Sequence, residues 1–283
     1  MSIMSDPFAG RQLRRVLGGL RDKEVIIPRL RTYLFNPKFT ALTIPLKDFE
    51  QRPPDGWFHP SGHPLWPERM LYYYLSNPDR LLAEPADINF VLAVTQGSFW
   101  HYFVQACLVD MDLLREVNSK APVPWLKVEK YVEDPRLRSR GSTDGIINSD
   151  NIASLDEDEV FELKTMAVAK MSGCPRGAPD DSERLVWWRL KNPGYYAQTQ
   201  EYMRMSGLRF TRVVILGLQS PFPMIELQVP YSYGEAMKVA DKYARVVQAV
   251  ADRTLPLPCC NVGSKEAIMC PARQVCPVGL GMV

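Results

Sequence analysis

Glu159-Val160-Phe161-Glu162-Leu163-Lys164 carries the two-residue alternation of a β-strand. Successive side chains in a strand point to opposite faces, so Glu162 and Lys164 share one face while Phe161 and Leu163 point into the other layer. Upstream, Asp144-Gly145-Ile146-Ile147 follows the turn-forming stretch Arg140-Gly141-Ser142-Thr143 and reads as a second strand with a carboxylate fixed at its start. Trp125 to Val132 mixes β-branched and aromatic residues and reads as a third. Together these segments predict an antiparallel meander, with the acidic loop Asp150 to Asp158 as a solvated hairpin tip.

Working outward, the pattern alternates between helix and strand. Asn192 and Pro193 mark a helix start and Gly207 its end. Arg212 to Leu218 and Met224 to Val229 are strand candidates, and Ser232-x-x-Glu235 is a capping-box signature opening a last long helix with an apolar stripe of Met237, Ala240, Tyr243, Val247 and Val250. Before the meander, Ile88 to Glu116 predicts a long helix, and Glu68 to Leu75 a shorter one with a buried aromatic side. The first 85 or so residues are rich in proline, arginine and aromatics, with a break at Gln51-Arg52-Pro53-Pro54-Asp55-Gly56. The expected fold is α/β, a mixed central sheet flanked by helices, in one structural unit of three parts. These are a helical and irregular N-terminal region (1–86), a core (87–252) and a cysteine-rich C-terminal cap (253–283).

With 34 Lys+Arg against 32 Asp+Glu in 283 residues, the net charge is +2, and hydrophobic residues make up 46%. That is a globular composition with no bulk attraction for polyanions, so any such partner must be held by local clusters. The uncharged run from Ile88 to Val109 contains Asn89, Thr95, Gln96, Ser98, His101 and Gln105, which favours a buried helix over a membrane span. Met1 to Leu20 lacks an apolar signal core, so a cytoplasmic location is expected. A G-x-x-x-x-G-K-[ST] loop is absent, which argues against a nucleotide-driven motor.

If the Asp144 strand pairs with the Glu162 strand, two carboxylates and an ammonium meet: a hard-oxygen cage for Mg²⁺ with a cation beside it for water or phosphate. The plainer reading is a surface ion pair between Glu162 and Lys164. Gly97-x-x-x-His101 places a small residue and an imidazole one helical turn apart, leaving room for a ligand, and Gln198-x-x-x-Tyr202 repeats that spacing. Each of these is otherwise a packing or surface residue. Trp187-Trp188 and Tyr195-Tyr196 are either core aromatics or platforms for bases, and Arg138, Arg140, Arg184, Arg189 and Lys191 flank the region as candidate phosphate contacts.

The series Gly97-x-x-x-His101, Gly141-x-x-Asp144-Gly145, Glu162-Leu163-Lys164-Thr165 and Gln198-x-x-x-Tyr202, followed by clustered cysteines, resembles the RecB-like branch of the PD-(D/E)XK nucleases over roughly residues 60 to 280. The likeness is greatest to the stand-alone exonucleases of that branch, CRISPR-associated and phage-borne. It implies that His101, Asp144, Glu162 and the backbone carbonyl of Leu163 ligate Mg²⁺ or Mn²⁺, that Lys164 orients the attacking water, and that Gln198 and Tyr202 steady the site. The implied activity is metal-dependent DNA hydrolysis from single-stranded or frayed ends, in recombination, replication or DNA processing. A catalytically silent DNA-binding adaptor and a DNA endonuclease are the alternatives. A homo-oligomer stays open, since no subunit interface is legible.

Four of six cysteines, Cys259, Cys260, Cys270 and Cys276, fall in the last 25 residues, a pattern of a metal clip in a reducing compartment. The resemblance implies an iron–sulfur cluster there, with one ligand from before the first nuclease motif. No cysteine precedes His101, however, and Cys260-x9-Cys270 departs from the family spacing. Zn²⁺ needs only four N/S ligands, which His63 or His59 with Cys260, Cys270 and Cys276 would supply, as would Cys259 with the other three tail cysteines. Cys107 and Cys174 read as non-ligands.

Overall fold

The computed structural model describes residues 24–35, 55–81, 88–118, 120–121, 124–175 and 181–282. In chain order the elements are α1 (Ile26–Leu34), α2 (Glu68–Ser76), α3 (Ile88–Asp110), α4 (Pro124–Val128), β1 (Lys130–Asp134), β2 (Ser139–Thr143), β3 (Gly145–Ile147), β4 (Glu159–Met166), α5 (Ser182–Lys191), α6 (Pro193–Ser206), β5 (Phe210–Gly217), β6 (Met224–Pro230), α7 (Tyr233–Ala251) and α8 (Lys265–Met269). Met1 to Leu20 and the break at Gln51 to Pro54 lie outside the described residues.

The central sheet has the order β3-β4-β5-β6. β3 pairs antiparallel with β4, with Gly145 opposite Phe161, whereas β4 pairs parallel with β5, with Leu163 opposite Val214. β6 then returns antiparallel beside β5. The parallel step needs a crossover, and α5 and α6 provide it. The sheet is therefore mixed and flanked by helices, as the alternating pattern predicts.

The strand alternation sorts the core into two layers. Phe161, Leu163 and Val214 pack with Ile26, Ile27 and Leu30 of α1 and with Val104, Cys107 and Leu108 of α3. On the opposite face Val160, Val213, Ile215 and Leu227 pack with Trp187 and Trp188 of α5 and with Tyr202 and Met203 of α6. Glu162 and Lys164 belong to this second face, beneath α6.

The meander is corrected. Trp125 to Val132 is not one strand: Pro124 opens a helical turn, and the Lys127 carbonyl accepts the N–H groups of Val117 and Asn118 at 2.7 and 2.9 Å, so the strand starts only at Lys130. That strand pairs with β2 in a separate two-stranded sheet and not with β3. The acidic loop is also more than a solvated tip. Ile152 and Leu155 are buried, and Asp158 accepts from Arg115 Nη2 at 2.8 Å. On α7 the buried stripe is Ala236, Val239, Ala240, Tyr243 and Val246, set by Tyr243 stacking on Phe58 at 4.3 Å.

The first helix leans on the core sheet, and the C-terminal part leans on the N-terminal region. α1 is anchored by buried Glu226, whose carboxylate accepts from the N–H groups of Val25 at 2.7 Å and of Ile26 and Ile27 at 2.9 Å. At the other end, Ala267, Ala272, Cys276 and Val278 bury against Tyr73 of α2. Among the described residues no helix is long and apolar enough to cross a membrane.

Candidate active site

β3 stops pairing at Gly145, so β4 runs past its neighbour and leaves backbone groups open at that edge. Asp144 fills the gap: its Oδ2 accepts from the Leu163 N–H at 2.8 Å. In an extended strand a residue's N–H and C=O point to the same side, so the Leu163 carbonyl faces this edge too. From α3, His101 brings Nδ1 to 3.4 Å from Asp144 Oδ2, and Gln105, one turn further, donates from Nε2 to the Asp144 carbonyl at 2.8 Å.

On the α6 side, Glu162 Oε1 accepts from Lys164 Nζ at 2.6 Å and from Gln198 Nε2 at 3.0 Å. Gln198 Oε1 accepts in turn from Lys164 Nζ at 2.9 Å, and Gln198 Nε2 lies 3.3 Å from the Tyr202 hydroxyl. Side chains from α3, the start of β3, β4 and α6 thus meet, and the six side chains singled out in the sequence all belong to this one group.

Two carboxylates here face one lysine. Burial works to raise the Asp144 carboxyl, but His101, Lys164 and the Leu163 N–H outweigh it and hold it below the ordinary carboxylate range. Glu162, only 2% exposed, is pushed up to about 7 by burial and by the Asp144 charge, against the pull of Lys164. Burial works to lower the Lys164 ammonium, yet the two carboxylates prevail and keep it charged. Glu162 Oε2 is buried with no hydrogen-bond partner, which is costly unless a cation or water satisfies it. In kind, the donors (two carboxylates, an imidazole and a backbone carbonyl) match a divalent cation such as Mg²⁺ or Mn²⁺. Among the described residues, no group of three or more His, Cys, Asp or Glu is arranged to hold a metal ion as it stands.

Other expected residues fall differently. Gly97 leaves no room for a ligand: a Cβ there would sit 3.0 Å from Thr165 Oγ1, so this glycine lets α3 approach β4. Trp187, Trp188 and Tyr196 are buried in the core and cannot stack bases. Arg184 is also structural, buried with its guanidinium donating to the carbonyls of Pro175 and Glu226 at 3.2 and 3.0 Å. Arg140 pairs with Asp55 at 2.8 Å and covers Trp57, and Arg189 pairs with Glu235 at 3.2 Å, while Arg138 and Lys191 are exposed.

Cys259, Cys260, Cys270 and Cys276 line one small pocket together with Arg69 and Tyr73. Burial, with the neighbouring Cys260 and Cys270, pushes the Cys259 thiol up to about 11. His63 is not among the residues lining that pocket. It is enclosed by Trp66 and Tyr74, with ring centroids 4.5 and 4.4 Å away, and its Nδ1 accepts from the His59 N–H at 2.7 Å. The tail cysteines thus share a pocket and His63 lies apart from them, and among the described residues neither ligand set is arranged to hold a metal ion as it stands. Cys107 and Cys174 are buried elsewhere.

Gln105 and Tyr195 were not singled out as part of this site. Gln105 follows His101 by four residues, so the helical repeat of Gly97, His101 and Gln105 is a signal that finds it. Tyr195 lies with its ring 4.6 Å from Lys164 Nζ, a neighbourhood with no sequence signature.

No protein-family model and no curated protein matches the chain. Among solved structures, "Crystal structure of SSO0001" is similar at 13% identity and a TM-score of 0.40, over 90% of this chain and 95% of its own.

Proposed function

We propose that this protein is a metal-dependent DNA nuclease that hydrolyses phosphodiester bonds from single-stranded or frayed ends. One observation carries the reading: Asp144, Glu162 and Lys164 converge with His101 beside an unpartnered carboxylate oxygen, Glu162 Oε2. A mere surface ion pair would not be buried, nor set opposite a second carboxylate.

Asp144, Glu162, His101 and the Leu163 carbonyl would hold the Mg²⁺ or Mn²⁺. When bound, the ion lowers the pKa of its water and offsets charge on the phosphoryl and leaving oxygens. The remaining work belongs to the chain. Lys164 Nζ would hydrogen-bond the attacking water or a non-bridging oxygen, and Gln198 bonds both Lys164 and Glu162 through its two amide atoms. Tyr202 in turn sets the Gln198 amide. Asp144 orients the His101 ring through Nδ1, which leaves Nε2 as the nitrogen for a ligand. DNA as the substrate, and attack from an end, rest on the motif resemblance. The tail cysteines complete the proposal: four thiols in one pocket suit Zn²⁺ or an iron–sulfur cluster, and metal would draw off the protons that burial favours on Cys259 and Cys270.

The test is incubation of 5′-labelled and 3′-labelled oligonucleotides with Mg²⁺ or Mn²⁺. Progressive shortening by the wild type, lost by at least ~10³-fold in Lys164→Ala, is expected. Discrete fragments from closed circular DNA point instead to an endonuclease. No cleavage by either protein points to a DNA-binding adaptor.

A further inference from the structure

We infer that Tyr195 is a positioning residue for the proposed hydrolysis, its ring forming the third wall of the seat that holds the Lys164 ammonium. Lysine ends a flexible four-carbon stem and carries three N–H donors. Two of them are directed at Glu162 Oε1 and Gln198 Oε1, at 2.6 and 2.9 Å. The Tyr195 ring centroid lies 4.6 Å from the same nitrogen, within cation–π range. Two oxygen acceptors alone leave the ammonium free to swing about them, and a ring limits that freedom.

The ring is itself held. It stacks on Trp188, with centroids 5.8 Å apart and planes 21° apart, and Trp188 is wholly buried. Pro193 fixes the first turn of α6, where Tyr195 sits. Tyr195 is nevertheless 37% exposed, so packing of the core does not account for it. An indole in the core therefore braces a ring at the surface, and the ring braces the amine.

The kinetic consequence rests on the nuclease reading, but the geometry does not, and the experiment separates the two. Wild type, Tyr195→Phe and Tyr195→Leu are compared on an oligonucleotide and on bis(p-nitrophenyl) phosphate, and the Lys164 side-chain methylene protons next to the amine are followed by NMR. In Tyr195→Leu, kcat is expected to fall about 3- to 30-fold on both substrates with KM nearly unchanged, and Tyr195→Phe restores it. The Lys164 protons are expected upfield, shifted by the ring, in the wild type and the Phe variant, but not in the Leu variant. Unchanged kcat in the Leu variant, or equal loss in the Phe variant, overturns the inference. So does a loss confined to KM on the oligonucleotide, which would mean that the ring stacks a base. If the wild type cleaves neither substrate, the nuclease reading fails, and the NMR decides alone: an upfield shift abolished only by Leu upholds the seat, and its absence in the wild type refutes it.

Discussion

Glu162 shows how far one residue's environment can be set against its own stability. It is buried beside Asp144, one of its oxygens lacks a partner, and its charge is answered by a lysine that the other carboxylate also draws on. Glu162→Gln keeps an acceptor for Lys164 and removes one of two mutually repelling charges. Activity should fall by ~10³-fold or more with no drop in the unfolding midpoint, the usual mark of a site strained for function. A large loss of thermal stability would mean that the carboxylate serves mainly to hold the fold. His63 makes the opposite case, a titratable group without a place in the site. Burial, then neighbouring His59, depresses its pKa from 6.5 to about 3, with Asp55 opposing. Between those values the unfolded chain takes up a proton that the folded chain refuses. Stability is thus intact above pH 6.5 and falls as pH drops below it, by up to ~1.4 kcal/mol per pH unit. In urea titrations from pH 7 to 4, His63→Asn should be less stable at pH 7 yet show a shallower decline, and parallel slopes would count against the mechanism.

At the scale of elements, the legible parts were those whose local pattern agrees with their tertiary role. β4 and α6 are such elements: the alternation around Glu162 and the Pro193 start with the Gly207 stop are local facts. The segment before β1 is not legible from composition: the β-branched and aromatic residues of Trp125 to Val132 favour a strand, but Pro124 opens a helical turn instead. The site was legible for the same reason as β4. Apart from Asp144, which lies just before β3, its members recur at strand or helix spacings within one element, whereas Tyr195 and Lys164 meet across two elements. Gly97 serves a different end from the one its spacing suggests. Its role is the contact between α3 and β4, because a Cβ would meet Thr165 Oγ1 at 3.0 Å, tighter than most real contacts. Gly97→Ala should therefore push α3 away from the strand, costing about 1–3 kcal/mol and moving His101 off Asp144. Thr165→Ala removes the obstructing atom, so the double variant should regain most of the stability and activity. Failure of that rescue in a double-mutant cycle would place the cause elsewhere in the packing of α3, since alanine in place of glycine favours the helix itself.

Across the whole molecule, the sheet is closed by groups that are far apart in sequence, which single-sequence patterns cannot register. Glu226, on β6, receives the first N–H groups of α1 some 200 positions earlier and also Arg212 Nη1 at 3.3 Å. Arg212 is shared with Glu159, the first residue of β4, at 2.7 Å. One buried network thus joins α1, β4, β5 and β6 at the end of the sheet where β4 begins. Glu226→Gln is a sensitive probe of it. Both carboxylate oxygens accept from backbone N–H groups, and an amide offers one acceptor while turning its NH₂ toward a donor. A cost of about 2–4 kcal/mol follows from the lost backbone bonds and from the weakened pairing of buried Arg212, which keeps Glu159 as its ion-pair partner. α1 contributes Ile26, Ile27 and Leu30 to the layer that also contains Leu163, so its release loosens the floor beneath the candidate site without touching any of its side chains. Hydrogen exchange should show α1 amides losing protection first, with kcat reduced less than in any of the site variants. If α1 stays protected while the midpoint falls, Arg212 and not the helix cap is the partner that matters.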